Sequence, residues 1–359
     1  MEKLLCIKIA SRGDLLLAAP AFRVLRTMRP EAHITLLVGA SCEDVAQHLP
    51  YFDRIQTIDD QALMGGGRRN RFVEAWRMLG RIRSRDPGQA LFYSEAFIFH
   101  RDWRYGLLAW LSGIPVRRGL QRGERPLFLT HPYRADDREH HVRQYLSVIS
   151  SRTDDFPLAG LWKFKEGERE RALATARAHG FKPESGSWIG LGFGGGRNIK
   201  TRTELKTWPL ERFCRLAEQL VKHGRQVVWI GDAEDADMLG DAPEGAPPPQ
   251  EAVNLSGKLS VTETAAVLSA CQLVVSNDSL ALHLAEALGV STIGLFGPTD
   301  PMHYRPLGRR STYLWPGRNL SCSPCHRDGY FPPCTHQHRC MRELPVESVL
   351  ENFFGHHGP

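Results

Sequence analysis

A run of small polar residues, Asn277-Asp278-Ser279, follows the short apolar stretch Leu273–Val275 and precedes apolar residues at helical spacing. Apolar stretches of this length are typical of strands that are buried on both faces. At the carboxyl ends of such strands, unpaired N–H groups and the helix dipole bind anions in open α/β sheets. The pattern predicts an anion site that includes Asp278 and Ser279, with helix capping alone as the alternative.

Two further features of the second half suit a diphosphate group. Three glycines, 194–196, follow the predicted strand Ser187–Phe193, and glycines leave backbone N–H groups open to a ligand. Lys206 would add a positive charge. Asp235 follows the predicted strand Gln226–Ile230, where a carboxylate could hold ribose hydroxyls. A flexible loop and an acidic helix start are the alternative interpretations.

Asp14 is the candidate catalytic residue of the first half. It lies with Gly13 in a turn between the predicted strand Leu4–Ile9 and the predicted helix Leu15–Met28. Doubly wound sheets place their chemistry in such loops, and the glycine allows a tight turn or a close approach to a ligand. The glycine spacing excludes a dinucleotide-binding fingerprint. An N-cap role for Asp14 is the alternative.

Together these residues suit the displacement of a nucleoside diphosphate by a hydroxyl group. Such a reaction needs a base on the acceptor side and positive charge on the leaving group. Asp14 would take the acceptor proton, while Lys206, the loop amides and a helix dipole would stabilise the diphosphate. The sequence therefore predicts a group-transfer enzyme.

Predicted strands and helices alternate through both halves of the chain, which is typical of the α/β fold class. Because 359 residues exceed what one hydrophobic core usually serves, we expect two α/β domains with a cleft between them. The expected boundaries give residues 1–160, residues 161–345 and a C-terminal helix or tail at 346–359.

Two elements of the first half carry specific predictions. Residues Ala90–Tyr93 are predicted to form a strand. Arg71–Arg83 is predicted to be a basic helix with Phe72, Trp76 and Leu79 on one face.

Four cysteines, Cys322, Cys325, Cys334 and Cys340, lie within the short segment 322–340. Their spacing suits a tetrahedral zinc or iron site, which would be structural because four thiolates close the coordination shell. Reduced buried thiols, or disulfides formed on isolation, are the alternatives.

The net charge of +6 suggests an anionic partner. Basic residues cluster at 68–85 and at 117–125, with a solvated surface as the alternative interpretation. The chain contains no apolar stretch of membrane-spanning length, and its N-terminus does not resemble a signal peptide. We expect a cytoplasmic protein without a nucleic-acid partner.

The chain resembles the ADP-heptose:lipopolysaccharide heptosyltransferase family. The resemblance runs through nearly the whole sequence, and its most specific part is the stretch Phe-Gly-Pro-Thr-Asp-Pro. The residues that carry it are Gly13-Asp14 with Pro20, Lys206-Thr207-Trp208-Pro209, Asp278-Ser279 with His283, and Leu295-Phe296-Gly297-Pro298-Thr299-Asp300-Pro301.

This resemblance implies a GT-B fold of two Rossmann-like domains, the second of which holds the donor nucleotide sugar. It implies an inverting transfer of heptose from ADP-heptose, without a catalytic metal, and Asp14 as the general base. The donor-binding residues that we expect are Gly13, Thr201, Lys206, Asp235, Asp278, Ser279 and His283.

Related enzymes add heptose to the phosphorylated inner core of lipopolysaccharide, an anionic glycolipid at the cytoplasmic face of the inner membrane. The two basic clusters would suit that acceptor and a peripheral association with the membrane. Some relatives glycosylate bacterial surface proteins, so a protein acceptor is one alternative, and another nucleotide sugar is a second. Leu280 stands where the family usually has glycine, which leaves a non-catalytic sugar-nucleotide-binding protein as a third. Many members carry a similar cysteine cluster, and a protein-heptosylating branch holds iron there.

Overall fold

The computed structural model describes residues 1–65, 67–83, 93–121, 123, 126–150, 159–196, 203–326 and 330–357. The chain divides into two compact units, Met1–Pro157 (unit 1) and Leu158–Pro359 (unit 2). The boundary expected from the sequence lies three residues further along, at residue 160.

Unit 1 is built on a parallel sheet that has six strands among the described residues, in the order β3-β2-β1-β4-β5-β6. Its elements are β1 (Lys3–Ile7), α1 (Arg12–Met28), β2 (His33–Gly39), α2 (Glu43–Ala46), β3 (Arg54–Ile58), α3 (Asp60–Gly65), α4 (Arg68–Arg83), β4 (Glu95–Ile98), α5 (Trp103–Leu111), β5 (Val116–Gln121), β6 (His131–Arg134) and α6 (His141–Ile149).

Unit 2 repeats this architecture with the sheet order β12-β11-β10-β7-β8-β9, again parallel throughout its described part. Its elements are α7 (Glu168–Ala178), β7 (Trp188–Gly192), α8 (Leu210–Lys222), β8 (Gln226–Ile230), α9 (Ala233–Gly240), β9 (Val253–Asn254), α10 (Val261–Leu268), β10 (Leu273–Asn277), α11 (Leu280–Leu288), β11 (Ser291–Leu295), α12 (Pro301–Tyr304), β12 (Thr312–Leu314), α13 (Arg339–Arg342) and α14 (Val346–His357).

Both sheets have the same strand order when each unit is numbered from its own first strand, namely 3-2-1-4-5-6. This is the order of Rossmann-like domains, in which ligands bind at the carboxyl ends of the strands where the order reverses. That point lies between β1 and β4 in unit 1 and between β7 and β10 in unit 2. The expected α/β fold of two Rossmann-like domains is confirmed.

The central strands are buried on both faces, as the apolar stretches predict. Every residue of β7, β10 and β11 is buried. Helix α8 covers the unit 2 sheet with one apolar face, which holds Phe213, Leu216, Ala217 and Leu220 at helical spacing.

The strand expected at Ala90–Tyr93 stays a prediction, because residues 90–92 lie outside the described part of the chain. The first strand described after α4 is β4, whose first residue, Glu95, is buried and forms an ion pair with Arg118.

The basic helix expected at Arg71–Arg83 is present as part of α4 (Arg68–Arg83). Of the three residues that the spacing places on one face, Leu79 is buried with Met78 and Ile82, whereas Phe72 and Trp76 are exposed.

The expected C-terminal helix is present as α14 and belongs to the core of unit 2. Its residues Val346, Val349 and Phe353 pack in the same cluster as Trp208 and Phe213. Within the described part of the chain, no helix combines the length and the apolar character that crossing a membrane requires.

We expect Phe353→Ala to lower the free energy of unfolding by about 3 kcal/mol, because it removes a large buried side chain and leaves a cavity. Phe353 is 1% exposed. Urea unfolding measures the change, and Phe72→Ala, at a position that is 71% exposed, is the matched control and should change stability by less than about 0.5 kcal/mol. Equal effects of both substitutions would contradict the packing of α14.

Candidate active site

A buried ionic cluster lies at the carboxyl end of β10, at the point of unit 2 where the strand order reverses. The Nζ atom of Lys206 lies 2.8 Å from Oδ2 of Asp278, and Nε2 of His283 lies 3.5 Å from Oδ1 of the same carboxylate. The side chains of Asp278 and His283 are 4% and 6% exposed, whereas that of Lys206 is 19% exposed. The carboxylate is therefore enclosed while the ammonium group keeps access to solvent.

The protonation state of this cluster follows from its packing. Burial by itself would raise the pKa of Asp278, but the adjacent Lys206 and His283 hold the pKa well below its ordinary value. The carboxylate is thus ionised, and Lys206 neutralises it. A lysine ammonium has three N–H donors, and the hydrogen bonds of Lys206 to the carboxylate and the backbone carbonyl of Asp278 use two of them, which leaves one for a ligand.

Asn277 joins the two segments that flank this cluster. Its buried amide nitrogen donates to the carbonyl oxygens of Phe193 (2.7 Å) and Gly194 (3.3 Å), at the start of the glycine-rich loop. Its amide oxygen accepts the backbone N–H of Trp208 at 3.1 Å, two residues after Lys206. Sequence reasoning treated Asn277 only as a capping residue, and no local pattern indicates this bridge.

The glycine-rich loop passes over the start of α11. Glycine is required at Gly196 by its φ of +69°, and a Cβ placed there would lie 3.6 Å from the Cβ of Ser279. The Oγ atom of Ser279 lies 3.1 Å from Oγ of Ser276. The loop amides, Ser279 and the N-terminus of α11 thus lie next to the ionic cluster.

Asp235 lies at the neighbouring strand end, in the first turn of α9. Its Oδ2 accepts the N–H of Asp232 at 2.8 Å, and Asp232 in turn accepts the N–H of Asp235, which makes a capping box. Its carboxylate also lies so close to Gly194 that a Cβ there would be 2.2 Å from Oδ2. Asp235 therefore stabilises the helix start and borders the glycine-rich loop.

The cysteine-rich segment holds an aromatic ring against the cluster. The ring centroid of Phe331 lies 5.7 Å from Nζ of Lys206, a cation–π distance. The same segment is hydrogen-bonded to the turn after β11. Ser323 Oγ donates to the Gly297 carbonyl, and the N–H of Cys325 donates to the Pro298 carbonyl. Sequence reasoning did not single out Phe331, since its role arises only from the fold.

The four cysteines of this segment are reduced thiols in the structure, and they act on one another electrostatically. Burial raises the pKa of Cys340 to about 12, with further contributions from Cys325, Cys334 and Cys322. Among the described residues, no group of three or more histidine, cysteine, aspartate or glutamate side chains is arranged to hold a metal ion. The structural zinc or iron stays a prediction.

Asp14 lies in unit 1 at the carboxyl end of β1, inside the first turn of α1 and not in the loop before it. The helix begins at Arg12, and Ser11 is its N-cap. Both the backbone N–H and the hydroxyl of Ser11 lie 3.3 Å from Oδ2 of Asp14. The side chain of Asp14 is 31% exposed, so the helix positions the carboxylate without enclosing it.

A buried lysine lies beneath this carboxylate. The Nζ atom of Lys8 is 3.8 Å from Oδ2 of Asp14, and the side chain of Lys8 is 3% exposed. Burial lowers the pKa of Lys8, and Asp14 opposes that shift. His100, after β4, has a pKa well below its ordinary value because it is buried and close to Lys8, and its Nε2 accepts the N–H of Ile9 at 2.8 Å. His100 is thus neutral.

The structure brings Lys206, Asp278, Ser279 and His283 together, with Asp235 at the adjacent strand end. Thr201 lies outside the described residues. Gly13 and Asp14 belong to unit 1 and the others to unit 2.

Removing the ammonium group by Lys206→Met should lower the free energy of unfolding by about 3 kcal/mol near neutral pH, because it leaves a buried carboxylate without its partner. The pKa of Asp278 in the folded variant then rises under desolvation, so the folded protein binds a proton at higher pH than the wild type does. The difference in the free energy of unfolding between the wild type and the variant should therefore become smaller as the pH falls from about 7 to about 5. Urea unfolding at both pH values measures it.

Lys222→Met is the matched control, since Lys222 forms an exposed ion pair with Glu218. It should change stability little at either pH. A Lys206→Met deficit that is equal at both pH values would show that Asp278 is not the group that titrates.

Residues 96–333 match the family model "Glycosyltransferase family 9 (heptosyltransferase)". Lipopolysaccharide heptosyltransferase 2 of Escherichia coli K12 is 26% identical over 326 residues, which cover 87% of each chain. Among solved structures, E. coli ADP-heptose lipopolysaccharide heptosyltransferase II has a TM-score of 0.71 at 21% identity, with 98% of both chains covered. E. coli heptosyltransferase WaaC with ADP-2-deoxy-2-fluoro heptose has a TM-score of 0.66 at 19% identity, with 89% of this chain and 95% of that chain covered.

The structural likeness extends over both Rossmann-like units, in agreement with the GT-B fold that the sequence implies. The family model spans well over half of the sequence, including the strands that carry the ionic cluster. The chain therefore belongs to glycosyltransferase family 9, the heptosyltransferases.

Proposed function

We propose that this protein transfers a heptose residue from ADP-heptose to a hydroxyl group of the lipopolysaccharide core, with inversion at the anomeric carbon. Membership of glycosyltransferase family 9 supports the reaction class. The names of the relatives support the sugar and the acceptor, and the WaaC complex supports the donor.

One observation carries the mechanism. Each unit has a lysine–aspartate pair at the point where its strand order reverses, and the more exposed partner is the aspartate in unit 1 and the lysine in unit 2. In unit 1 the lysine, Lys8, is 3% exposed and the carboxylate of Asp14 is 31% exposed. In unit 2 the carboxylate of Asp278 is 4% exposed and the ammonium of Lys206 is 19% exposed. Unit 1 therefore offers an anionic base to solvent, and unit 2 offers a cation.

The two pairs match the two needs of the reaction. The oxygen of the acceptor hydroxyl attacks the anomeric carbon as the bond from that carbon to the diphosphate oxygen breaks. Asp14 takes the hydroxyl proton, and ADP leaves with the electron pair of the broken bond. Lys206, the amides of the glycine-rich loop and the N-terminus of α11 stabilise the charge that develops on the diphosphate. A single displacement of this kind inverts the anomeric carbon.

Buried partners keep both reacting groups in place. Asp278 holds the ammonium of Lys206, and Asn277 ties the segment of Lys206 to the glycine-rich loop. Ser11 holds Oδ2 of Asp14 through its backbone N–H and its hydroxyl, which fixes the carboxylate at the start of α1. Groups fixed before the substrate arrives need little reorganisation in the transition state.

An anionic acceptor at the cytoplasmic face of the inner membrane suits the basic character of unit 1. Not every arginine of the predicted clusters serves that purpose, because Arg118 pairs with the buried Glu95 and Arg117 donates to the carbonyl of Phe128. We place the protein in the cytoplasm in peripheral contact with the membrane.

A structural zinc or iron at the four cysteines is part of the proposal, and metal analysis of the purified protein tests it.

We expect Asp14→Asn to lower the rate of ADP release by at least about 100-fold in the presence of ADP-heptose and heptose-deficient lipopolysaccharide core. Asparagine keeps the size of the side chain and can accept the hydrogen bonds from Ser11, but it cannot take a proton. Coupled detection of ADP and mass spectrometry of the core measure transfer, and ADP binding by the variant should be unchanged.

Asp53→Asn is the matched control. Asp53 lies at the amino end of β3, whereas Asp14 lies at the carboxyl end of β1 in the same sheet, so transfer should persist. Full turnover by Asp14→Asn would remove Asp14 from the mechanism. Wild-type release of ADP only with a protein acceptor, or only from another nucleotide sugar, would overturn the acceptor or the donor named here. Binding of ADP-heptose without transfer to any acceptor would indicate a non-catalytic binding protein.

A further inference from the structure

Helix α4 of unit 1 presents large apolar side chains to solvent. Phe72 is 71% exposed, Trp76 is 66% exposed and Val73 is 40% exposed. A side chain at Gly80, one turn further along, would meet no atom within 4 Å. Because α4 already buries its other side through Met78, Leu79 and Ile82, the exposed residues are not needed for the core.

The same helix is strongly cationic. Its sequence contains six arginines and one acidic residue, Glu74. That carboxylate is 2% exposed, accepts the N–H of Asp59 and pairs with Arg77 at 3.2 Å, so it offsets one arginine and leaves the helix with a net positive charge. At helical spacing, Arg69 and Arg83 lie on the outward face with Phe72 and Trp76. Exposed aromatic side chains are thus combined with exposed cationic ones.

Helix α5 extends this surface. It packs against α4, and Arg83 at the end of α4 donates to the carbonyl of Leu111 at the end of α5. Trp103 and Trp110, seven residues apart and therefore on one face, are each about half exposed. Both rings lie against Phe128. These outward faces of α4 and α5 form the aromatic–arginine surface, which consists of Arg69, Phe72, Trp76, Arg83, Trp103 and Trp110.

We infer that the aromatic–arginine surface docks on an anionic phospholipid bilayer, with α4 lying in the plane of the interface. Aromatic side chains favour the boundary between headgroups and acyl chains, and arginines bind the phosphates of the headgroups. A second copy of this chain is a poor occupant, because symmetric contact would bring the arginines of two helices together. An anionic lipid surface satisfies the apolar and the cationic groups at once.

This inference deepens the proposed function by naming the surface through which the enzyme reaches a glycolipid acceptor, and to that extent it rests on that function. Its test requires no transfer reaction. A failure of the lipid surface and a failure of the heptosyltransferase activity therefore produce separate results.

The experiment is cosedimentation of the full chain with vesicles of phosphatidylcholine, with and without phosphatidylglycerol. Wild-type protein should bind the anionic vesicles, bind the neutral ones at least tenfold more weakly, and dissociate as salt is raised. The double substitution Phe72→Ser with Trp76→Ser should weaken binding to anionic vesicles at least tenfold. Arg69→Gln should weaken it about fivefold, the loss expected for one cationic contact.

Matched controls come from unit 2. Met238→Ser removes an exposed apolar side chain, and Arg309→Gln removes an exposed cation, and neither should change vesicle binding. Circular dichroism and ADP binding should be the same for all variants, since the substituted side chains are exposed and lie outside the donor site.

Wild-type levels of vesicle binding by the Phe72→Ser, Trp76→Ser protein would overturn the inference, as would equal binding of the wild type to neutral and anionic vesicles. Gel filtration provides a further test. A wild-type dimer that becomes a monomer in the double variant, without any change in vesicle binding, would assign the surface to self-association and overturn the lipid assignment.

Discussion

The ionic cluster of unit 2 depends on a carboxylate that is buried and yet ionised. Asp278 lies at the carboxyl end of β10, where an isolated charge would be strongly destabilising. Lys206 and His283 stabilise it, and the pKa of Asp278 is held low as a result. Asp278 also holds the ammonium group of Lys206 at the carboxyl end of β10. In the proposed mechanism this ammonium group stabilises the leaving diphosphate, and the interaction that positions it also stabilises unit 2.

Unit 1 contains a second lysine–aspartate pair at the point where its strand order reverses. Lys8 and Asp14 both follow β1, whereas in unit 2 Asp278 follows β10 and Lys206 follows β7, and burial in unit 1 falls on the lysine and not on the aspartate. The exposed partner decides the chemistry. A carboxylate that is open to solvent can accept a proton, and an ammonium group that is open to solvent can stabilise an anion. One sheet topology thus presents an exposed carboxylate in one unit and an exposed ammonium group in the other, because a different partner of the pair is enclosed.

The cysteine-rich segment contributes to the site through packing. It encloses the turn after β11 by hydrogen bonds to the carbonyls of Gly297 and Pro298, and Met341 fills the space that a side chain at Gly297 would need. It also places the ring of Phe331 over Lys206. The glycine of the Phe-Gly-Pro-Thr-Asp-Pro stretch is thus explained by close contact with a distant segment, which gives a physical reason for part of a motif recognised from its sequence alone.

The sequence by itself determined the fold class, because apolar strands, helical spacing and Gly–Pro breaks are local signals. It also placed Asp14, Asp278 and Ser279 at strand ends, since position along a strand follows from the order of residues. It did not reveal β4, whose first residue is a charged glutamate that is buried in an ion pair with Arg118, a residue from another strand. It placed Phe72, Trp76 and Leu79 on one face of α4 but did not show that Phe72 and Trp76 are exposed while Leu79 is buried, because helical periodicity shows which residues share a face but not which of them meet the core. The roles of Asn277 and Phe331, and the opposite exposure of the two lysine–aspartate pairs, were decided only by the tertiary structure. These features arise from contacts between residues far apart in the chain, and no local pattern encodes such contacts.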